Sequence, residues 1–283
     1  MTVTEQRLAA SAVVQAPVNY LGEMRERPKF HAQEHARDNL RFDTHVMTIA
    51  DARQLAEPPS LDREGIALVP HRSAVRDFYD PEQRSGLYLE EVERLVAEIT
   101  GASKVFVLRG GGMIRYAERS PLYRTGMNTQ PARFPHIDFT RSTAPGLVDD
   151  VFGSRSVGLE PGQRLVGYNV WRVVSEPPQD VPLAVCDAST VEPQDLVPGD
   201  GVYDEGDPSK WWELEAYLVR HNPRHRWLYF RDMRPDEALI FRAYDNSPGF
   251  SPGAPHVAFD DPSCPSGGSA RVSVEARAFA IFD

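Results

Sequence analysis

The sequence predicts an α+β chain that is mainly β, with a sandwich or jelly-roll core behind an N-terminal α/β layer. Two observations carry this. Beyond Gly110 the apolar residues come in short runs broken by Pro, Gly, Asp and Asn, which is the punctuation of many short strands. Before Gly110, one segment has helical rather than alternating apolar spacing.

The elements follow in order. Residues 1–17 read as a flexible polar tail. From Val18 to Leu40 the text is charged and broken, without an apolar stripe. Thr44–Ala50 alternates as a strand, and Gly65–Val69 is a second, shorter one. Asp80-Pro81 supplies a helix start, because Asp can cap and Pro fits the first turn. Val92, Leu95, Val96 and Ile99 then share one helical face, and Gly101 ends it. Lys104–Leu108 reads as a buried strand. In the second half the predicted strands are Leu165–Val174, Leu183–Val185, Trp227–Phe230, Ala238–Tyr244, Val257–Phe259 and Val272–Phe282. One helix is expected among them, over Pro208–Arg220, where Trp211, Leu214, Glu215 and Leu218 fall on neighbouring turns. There is no internal repeat. Residues 18–283 read as one domain, with the α/β layer over 18–110 and the jelly-roll core over 111–283.

Composition narrows the function classes. Apolar residues make up 41% and charged residues 25% of the 283, an ordinary globular balance. A net charge of −10 disfavours nucleic acid and anionic membrane as main partners. Cys186 and Cys264 are too few for a disulfide scaffold and form no CxxC pair, so free thiols and a cytoplasmic location are expected. Met1–Ala16 lacks the pattern of a signal peptide, and no apolar stretch approaches a membrane span.

Three patterns could carry chemistry. In Pro135-His136-Ile137-Asp138-Phe139-Thr140, His136 and Asp138 stand at i and i+2 and share a strand face. That is two thirds of a 2-His-1-carboxylate triad, which suits iron(II) because it leaves one face open. The rival reading is a capping Asp beside a structural His. His256 follows a Gly/Pro turn, opens an apolar run, and is placed to give the third ligand. Arg271 and Ser273 share a strand face, and a guanidinium with a neighbouring hydroxyl suits the distal acid of a dicarboxylate. The ordered set HxD, H, RxS therefore reads as an iron(II) site with a 2-oxoglutarate anchor. Arg277 is the rival to Arg271. Asn169 and Arg172 are further candidates for a carboxylate contact, and Trp171, Tyr229 and Arg242 are candidate pocket residues. No catalytic residue beyond the metal ligands is indicated.

These blocks carry a resemblance: Asn19-Tyr20-Leu21, Ile49–Arg53, PHIDFT at 135–140, YNVWRVV at 168–174, PLAVCDAST at 182–190, HRWLYFRDMRPDEALIFRAYDN at 225–246, PHVAFDDP at 255–262 and RVSVEARAF at 271–279. The chain resembles the family of 7α-cephem-methoxylase small components and fungal hydroxylase/desaturase and endoperoxidase enzymes. The resemblance covers nearly the whole chain past the tail. It implies a double-stranded β-helix (cupin-like) fold and an iron(II)/2-oxoglutarate oxygenase of specialised metabolism. The family's metal ligands fall on His136, Asp138 and His256. Three positions depart from the family pattern: Val173 and Arg231 stand where Pro is usual, and Arg242 stands where Lys is frequent.

Other signals are weaker. His31–His35 matches HxxEH, a zinc-hydrolase pattern, but in a charged stretch without an apolar stripe. His221 and His225 stand at i and i+4, yet Pro223 lies between them; His225 is the substitute third ligand. Gly110-Gly111-Gly112 lacks the GKS/T of a phosphate loop and fits a loop near a site mouth. There is no GxSxG.

The expected activity is hydroxylation, desaturation or cyclisation of a small metabolite with O2, and a cephalosporin at C7 is one specific substrate. Two other readings remain: an accessory subunit for a methyltransferase partner, and a cupin-type metal-dependent lyase or isomerase. A homo-oligomer is compatible with each.

Overall fold

The computed structural model describes residues 12–108, 112–123, 130–144, 146, 159–160, 162–203, 207, 209, 212–249 and 253–283. Its strands are β1 (Val13–Leu21), β2 (Lys29–His31), β3 (Phe42–Asp51), β4 (Ile66–Pro70), β5 (Lys104–Val107), β6 (Met113–Tyr116), β7 (His136–Ile137), β8 (Arg164–Val173), β9 (Leu183–Cys186), β10 (Leu196–Tyr203), β11 (Trp212–Val219), β12 (Trp227–Tyr229), β13 (Glu237–Asp245), β14 (His256–Ala258) and β15 (Val272–Phe282). Two helices, α1 (Pro81–Ser85) and α2 (Leu87–Thr100), precede β5.

The strands form two sheets. One has the order β4-β13-β8-β15-β5, with β6 also paired to β15; the other runs β1-β3-β12-β9-β14-β7-β11-β10-β2. The architecture is the mainly-β jelly roll that the second-half punctuation predicts.

The six-stranded sheet separates two environments by strand parity. On β8, Val166, Tyr168 and Val170 face outward, as do Val272, Val274, Ala276, Ala278 and Ala280 of β15. Tyr88, Val92, Leu95 and Val96 of α2 cover them, so three of the four residues of the helical face read from the sequence pack on the sheet, while Ile99, in the last turn, is exposed. Asp80 caps α1 by accepting from the Glu82 N–H, with Pro81 in the first turn. Gly86 interrupts the predicted single helix with φ −108° and ψ −96°. Gly101 closes α2 in the left-handed region at φ 69°, where a side chain would be strained. The opposite residues of β8 and β15 face the space between the sheets.

Two expectations are corrected. Residues 13–17 are not tail: they belong to β1, paired with β3 along its whole length, and Val14 and Ala16 are buried. Pro17 is tolerated because β1 is an edge strand. The predicted helix over Pro208–Arg220 is a strand from Trp212 to Val219, where β11 pairs with β10. Its Leu214, Ala216 and Leu218 are buried on one face, a period-2 pattern that helical spacing also accommodates. The N-terminal α/β segment is built onto the core: β1 and β3 extend the nine-stranded sheet, β4 and β5 border the other, and α1 and α2 lie outside the sheets.

A second core lies within the nine-stranded sheet, which curls until β1 contacts β11. It holds Tyr20, Ile49, Trp227, Tyr229, Val257 and Phe259 among others.

Candidate metal centre

The centre starts from a two-residue strand. β7 is short, yet both neighbours fix it: Ile137 opposes Tyr217 of β11, and His136 opposes His256 of β14. The two histidines, remote in sequence, are thus direct cross-strand partners with ring centres 4.3 Å apart. Asp138 follows two residues after His136 and projects to the same side. One ligand atom from each of His136, Asp138 and His256 lies within 4.8 Å of the others. Gly253 makes room behind this group: a Cβ there would sit 2.5 Å from the Ala243 carbonyl oxygen and 2.8 Å from Ile137 Cγ2.

The donor atoms are prepared for a metal. His136 Nδ1 lies 3.1 Å from the Phe134 carbonyl oxygen. It therefore carries the proton as donor, leaving the Nε2 lone pair free, 3.9 Å from Asp138 Oδ1. His256 Nε2 lies 3.8 Å from Asp138 Oδ2. Burial, with His136 beside it, pushes His256 down to about 3, so its imidazole is neutral, as a ligand must be. Burial opposes charge on Asp138, but Arg277, His256, His136 and Asn169 outweigh it and hold the carboxyl below its usual range. Two imidazoles and one carboxylate match the donor set of non-haem iron(II) sites.

Asp138 also spans the gap between the sheets. Asn169 of β8 donates to its Oδ2 at 2.5 Å, and Arg277 of β15 donates to its Oδ1 at 2.7 Å. Arg277 also pairs with Glu275 at 3.0 Å.

The inward face of β15 continues past Glu275 to Ser273, and Arg271 precedes the strand on the same side. Arg271 is 2% exposed and Ser273 is fully buried, yet Arg271 Nε and Ser273 Oγ have no hydrogen-bond partner among the described residues. No carboxylate of the described residues pairs with Arg271, whose guanidinium lies 5.7 Å from the Trp171 ring centre. Burial, with Arg133 and Arg115 nearby, pushes Arg271 down to about 9. One cavity is lined by His136, Asp138, His256, Trp171, Arg271 and Arg277 together. A buried cation in the cavity of the donor triad, with an unsatisfied hydroxyl two residues along the same strand face, fits an anionic co-substrate.

Not every candidate is brought here. Arg172 has the opposite parity to Asn169 and Trp171. It points under α2, between Phe78 and Tyr88, and bonds the His71 and Pro235 carbonyls. Arg242 likewise faces away from the cavity, near Gly65. Tyr229 lies in the second core against Phe259. His225 is buried there too, 3.2 Å from Asp195 and 3.3 Å from Tyr20 Oη, and is no substitute ligand. The HxxEH histidines do not share a helix, since His31 ends β2 and His35 opens a 3-10 turn. Gly110 and Gly111 lie outside the described residues.

The sequence reading missed Arg115, Phe134, Tyr203 and Glu275, all of which line the cavity. Glu275 was legible by the parity that selected Arg271 and Ser273. Arg115 was not, because its side is set by the pairing of β6 with β15, where it opposes Ser273.

A His-Asp-His cluster between jelly-roll sheets matches the donor set of the class of non-haem iron oxygenases. A family model described as "Oxidoreductase/YMDC permease-like domain" matches residues 18–281, and the chain belongs to this oxidoreductase family. Among its relatives is "Fe(II)/2-oxoglutarate-dependent dioxygenase nvfI" of Aspergillus novofumigatus, 29% identical over 253 residues, covering 88% of this chain and 81% of the relative. Another is "Hydroxylase/desaturase efuI" of Hormonema carpetanum, 29% identical over 263 residues, covering 86% of each. The solved structure of the iron and alpha-ketoglutarate-dependent endoperoxidase NvfI superposes with a TM-score of 0.83 at 25% identity, covering 98% of this chain and 99% of that one. The chain is thus an Fe(II)/2-oxoglutarate-dependent dioxygenase by family, with iron(II) and 2-oxoglutarate as its cofactors. Despite the family description, no helix among the described residues is long and apolar enough to cross a membrane.

Proposed function

We propose that this enzyme oxidises a small specialised metabolite, with iron(II) held by His136, Asp138 and His256 and 2-oxoglutarate anchored by Arg271 and Ser273. The observation that carries the reading is the buried Arg271 in the cavity of the triad, with no partner among the described residues for its Nε or for Oγ of Ser273 on the same strand face. Bound iron(II) supplies the activation of O2, coupled to decarboxylation of the 2-oxo acid. The protein's part is binding, orientation and exclusion of water. Arg271 and Ser273 take the distal carboxylate, with the indole of Trp171 packed against the guanidinium. Phe134 and Leu183 give the cavity apolar wall, against which a carbon skeleton can be held with one C–H bond toward the metal. Hydroxylation, desaturation and peroxide insertion differ only in the later fate of the substrate radical, and relatives named for each kind of outcome support this breadth. The names of these relatives do not point to a β-lactam, so a cephalosporin is not part of the proposal.

The test is anaerobic titration with iron(II) and then 2-oxoglutarate, following the visible metal-to-ligand charge-transfer band. A band that needs both and is lost in His136→Ala supports the reading. Iron binding without a band favours a lyase or accessory role and sinks it.

A further inference from the structure

Asp138 is held in a way that a metal ligand alone does not require. Both of its oxygens are occupied from the opposite sheet, Oδ1 by Arg277 and Oδ2 by Asn169. Asp138 is 4% exposed and Arg277 9%, so this charge pair is largely screened from water. Arg277 has a second carboxylate, Glu275, at 3.0 Å, and Glu275 is itself 8% exposed. The three side chains form a buried minus-plus-minus chain that ends on a metal-ligating atom. Residues 275 and 277 share the inward face of β15, whose register with β8 sets Arg277 opposite Asn169. The two groups that grip Asp138 are therefore cross-strand partners, and one pairing step positions both.

We propose that Arg277 is a positioning residue for the Asp138 carboxylate and its built-in counter-cation, and that it thereby sets the metal affinity of the centre. The inference rests on Asp138 being a metal ligand. A buried carboxylate without a cation would be costly, and Arg277 supplies the charge within the protein itself. An entering divalent metal then shares one carboxylate with a guanidinium and is repelled by it. Asn169 is neutral and orients the carboxylate without this opposition. Glu275 offsets part of the Arg277 charge. Arg277 thus stabilises the metal-free fold and weakens metal binding, and Glu275 moderates both effects. This role differs from that of a 2-oxoglutarate anchor, because the Arg277 guanidinium is engaged by two carboxylates whereas Arg271 has none among the described residues.

The experiment measures iron(II) affinity anaerobically, together with thermal midpoints of the metal-free and iron-loaded protein, in wild type, Arg277→Met and Glu275→Gln. Arg277→Met is expected to lower the metal-free midpoint and to bind iron(II) about tenfold more tightly, which widens the gap between the two midpoints. Glu275→Gln is expected to shift affinity the other way, by about tenfold. If Arg277→Met does not fold without metal, the Glu275→Gln affinity decides alone. Unchanged or weaker iron binding in Arg277→Met overturns the inference, as does an equal drop in both midpoints. So does a rise in 2-oxoglutarate half-saturation with iron affinity unaltered, which would make Arg277 the anchor. Wild-type protein that binds iron(II) no better than His136→Ala would instead sink the metal-centre reading itself.

Discussion

Arg271 lies over the indole of Trp171, with its guanidinium 5.7 Å from the ring centre, and no carboxylate of the described residues neutralises it. A buried cation held against an aromatic face keeps its donors available for an incoming acid. Arg271→Ala is expected to raise the 2-oxoglutarate half-saturation by about 10- to 100-fold, the worth of a charge-assisted bidentate contact. Iron(II) affinity should stay within about threefold, since Arg271 touches none of the three ligands. Succinate formation against co-substrate concentration measures the first, and calorimetry the second.

The ligands themselves give a sharper outcome. His136→Ala and Asp138→Ala should each abolish stoichiometric iron(II) binding, read as metal content after desalting. Asn169→Ala leaves Asp138 Oδ2 without its donor. It should weaken iron binding by about 10- to 100-fold, as loss of an outer partner of a ligand typically does.

The acid side of the stability profile follows from His256. Its folded value of about 3 lies below the ordinary 6.5, so between these values the unfolded chain binds a proton that the folded chain refuses. Stability therefore falls as pH drops from 6.5 toward 3, by at most about 1.4 kcal/mol per pH unit from this group. Denaturant midpoints of metal-free protein across this range should show a shallower slope in His256→Gln. An identical slope would remove His256 as the source.

The second core offers a control. Trp227 Nε1 donates to Tyr20 Oη at 2.6 Å, and His225 links Tyr20 to Asp195. His225→Gln should cost about 1–3 kcal/mol of stability, because it disturbs a buried hydrogen-bonded network. Iron(II) affinity should be unchanged. Loss of iron in this variant would revive His225 as a ligand.

The β character of the second half was legible because Pro and Gly punctuation isolates its strands. The triad was legible because i, i+2 spacing survives into β7 and the start of a run marks β14. β1 was hidden: in VVQAPVNYL the small Ala16 and the central Pro17 blur the alternation of Val14, Val18 and Tyr20. β11 was misread because Leu214 and Leu218 are four apart, a spacing common to one helix face and one strand face. Arg172 was misplaced for a different reason. Its type suits an anion site, but its side of β8 is fixed by which neighbours α2 must cover, and that is decided only when the sheets assemble. The same holds for the grip of Arg277 on Asp138, which joins two sheets that no local spacing relates.

β15 is paired with β8 along ten positions, Ser273–Phe282 opposite Val173–Arg164, and with β5 and β6 on its other edge. Over residues 272–277 it therefore works as a ruler whose odd marks are chemical and whose even marks are structural. A one-residue deletion within it would exchange the two sets, turning Val and Ala toward the metal and arginines toward the helix. Lineages that diversify this enzyme are thus free to lengthen the turn before Arg271, between Asp260 and Ala270, but not the strand that follows. Sequence drift in length should collect in the one and be excluded from the other.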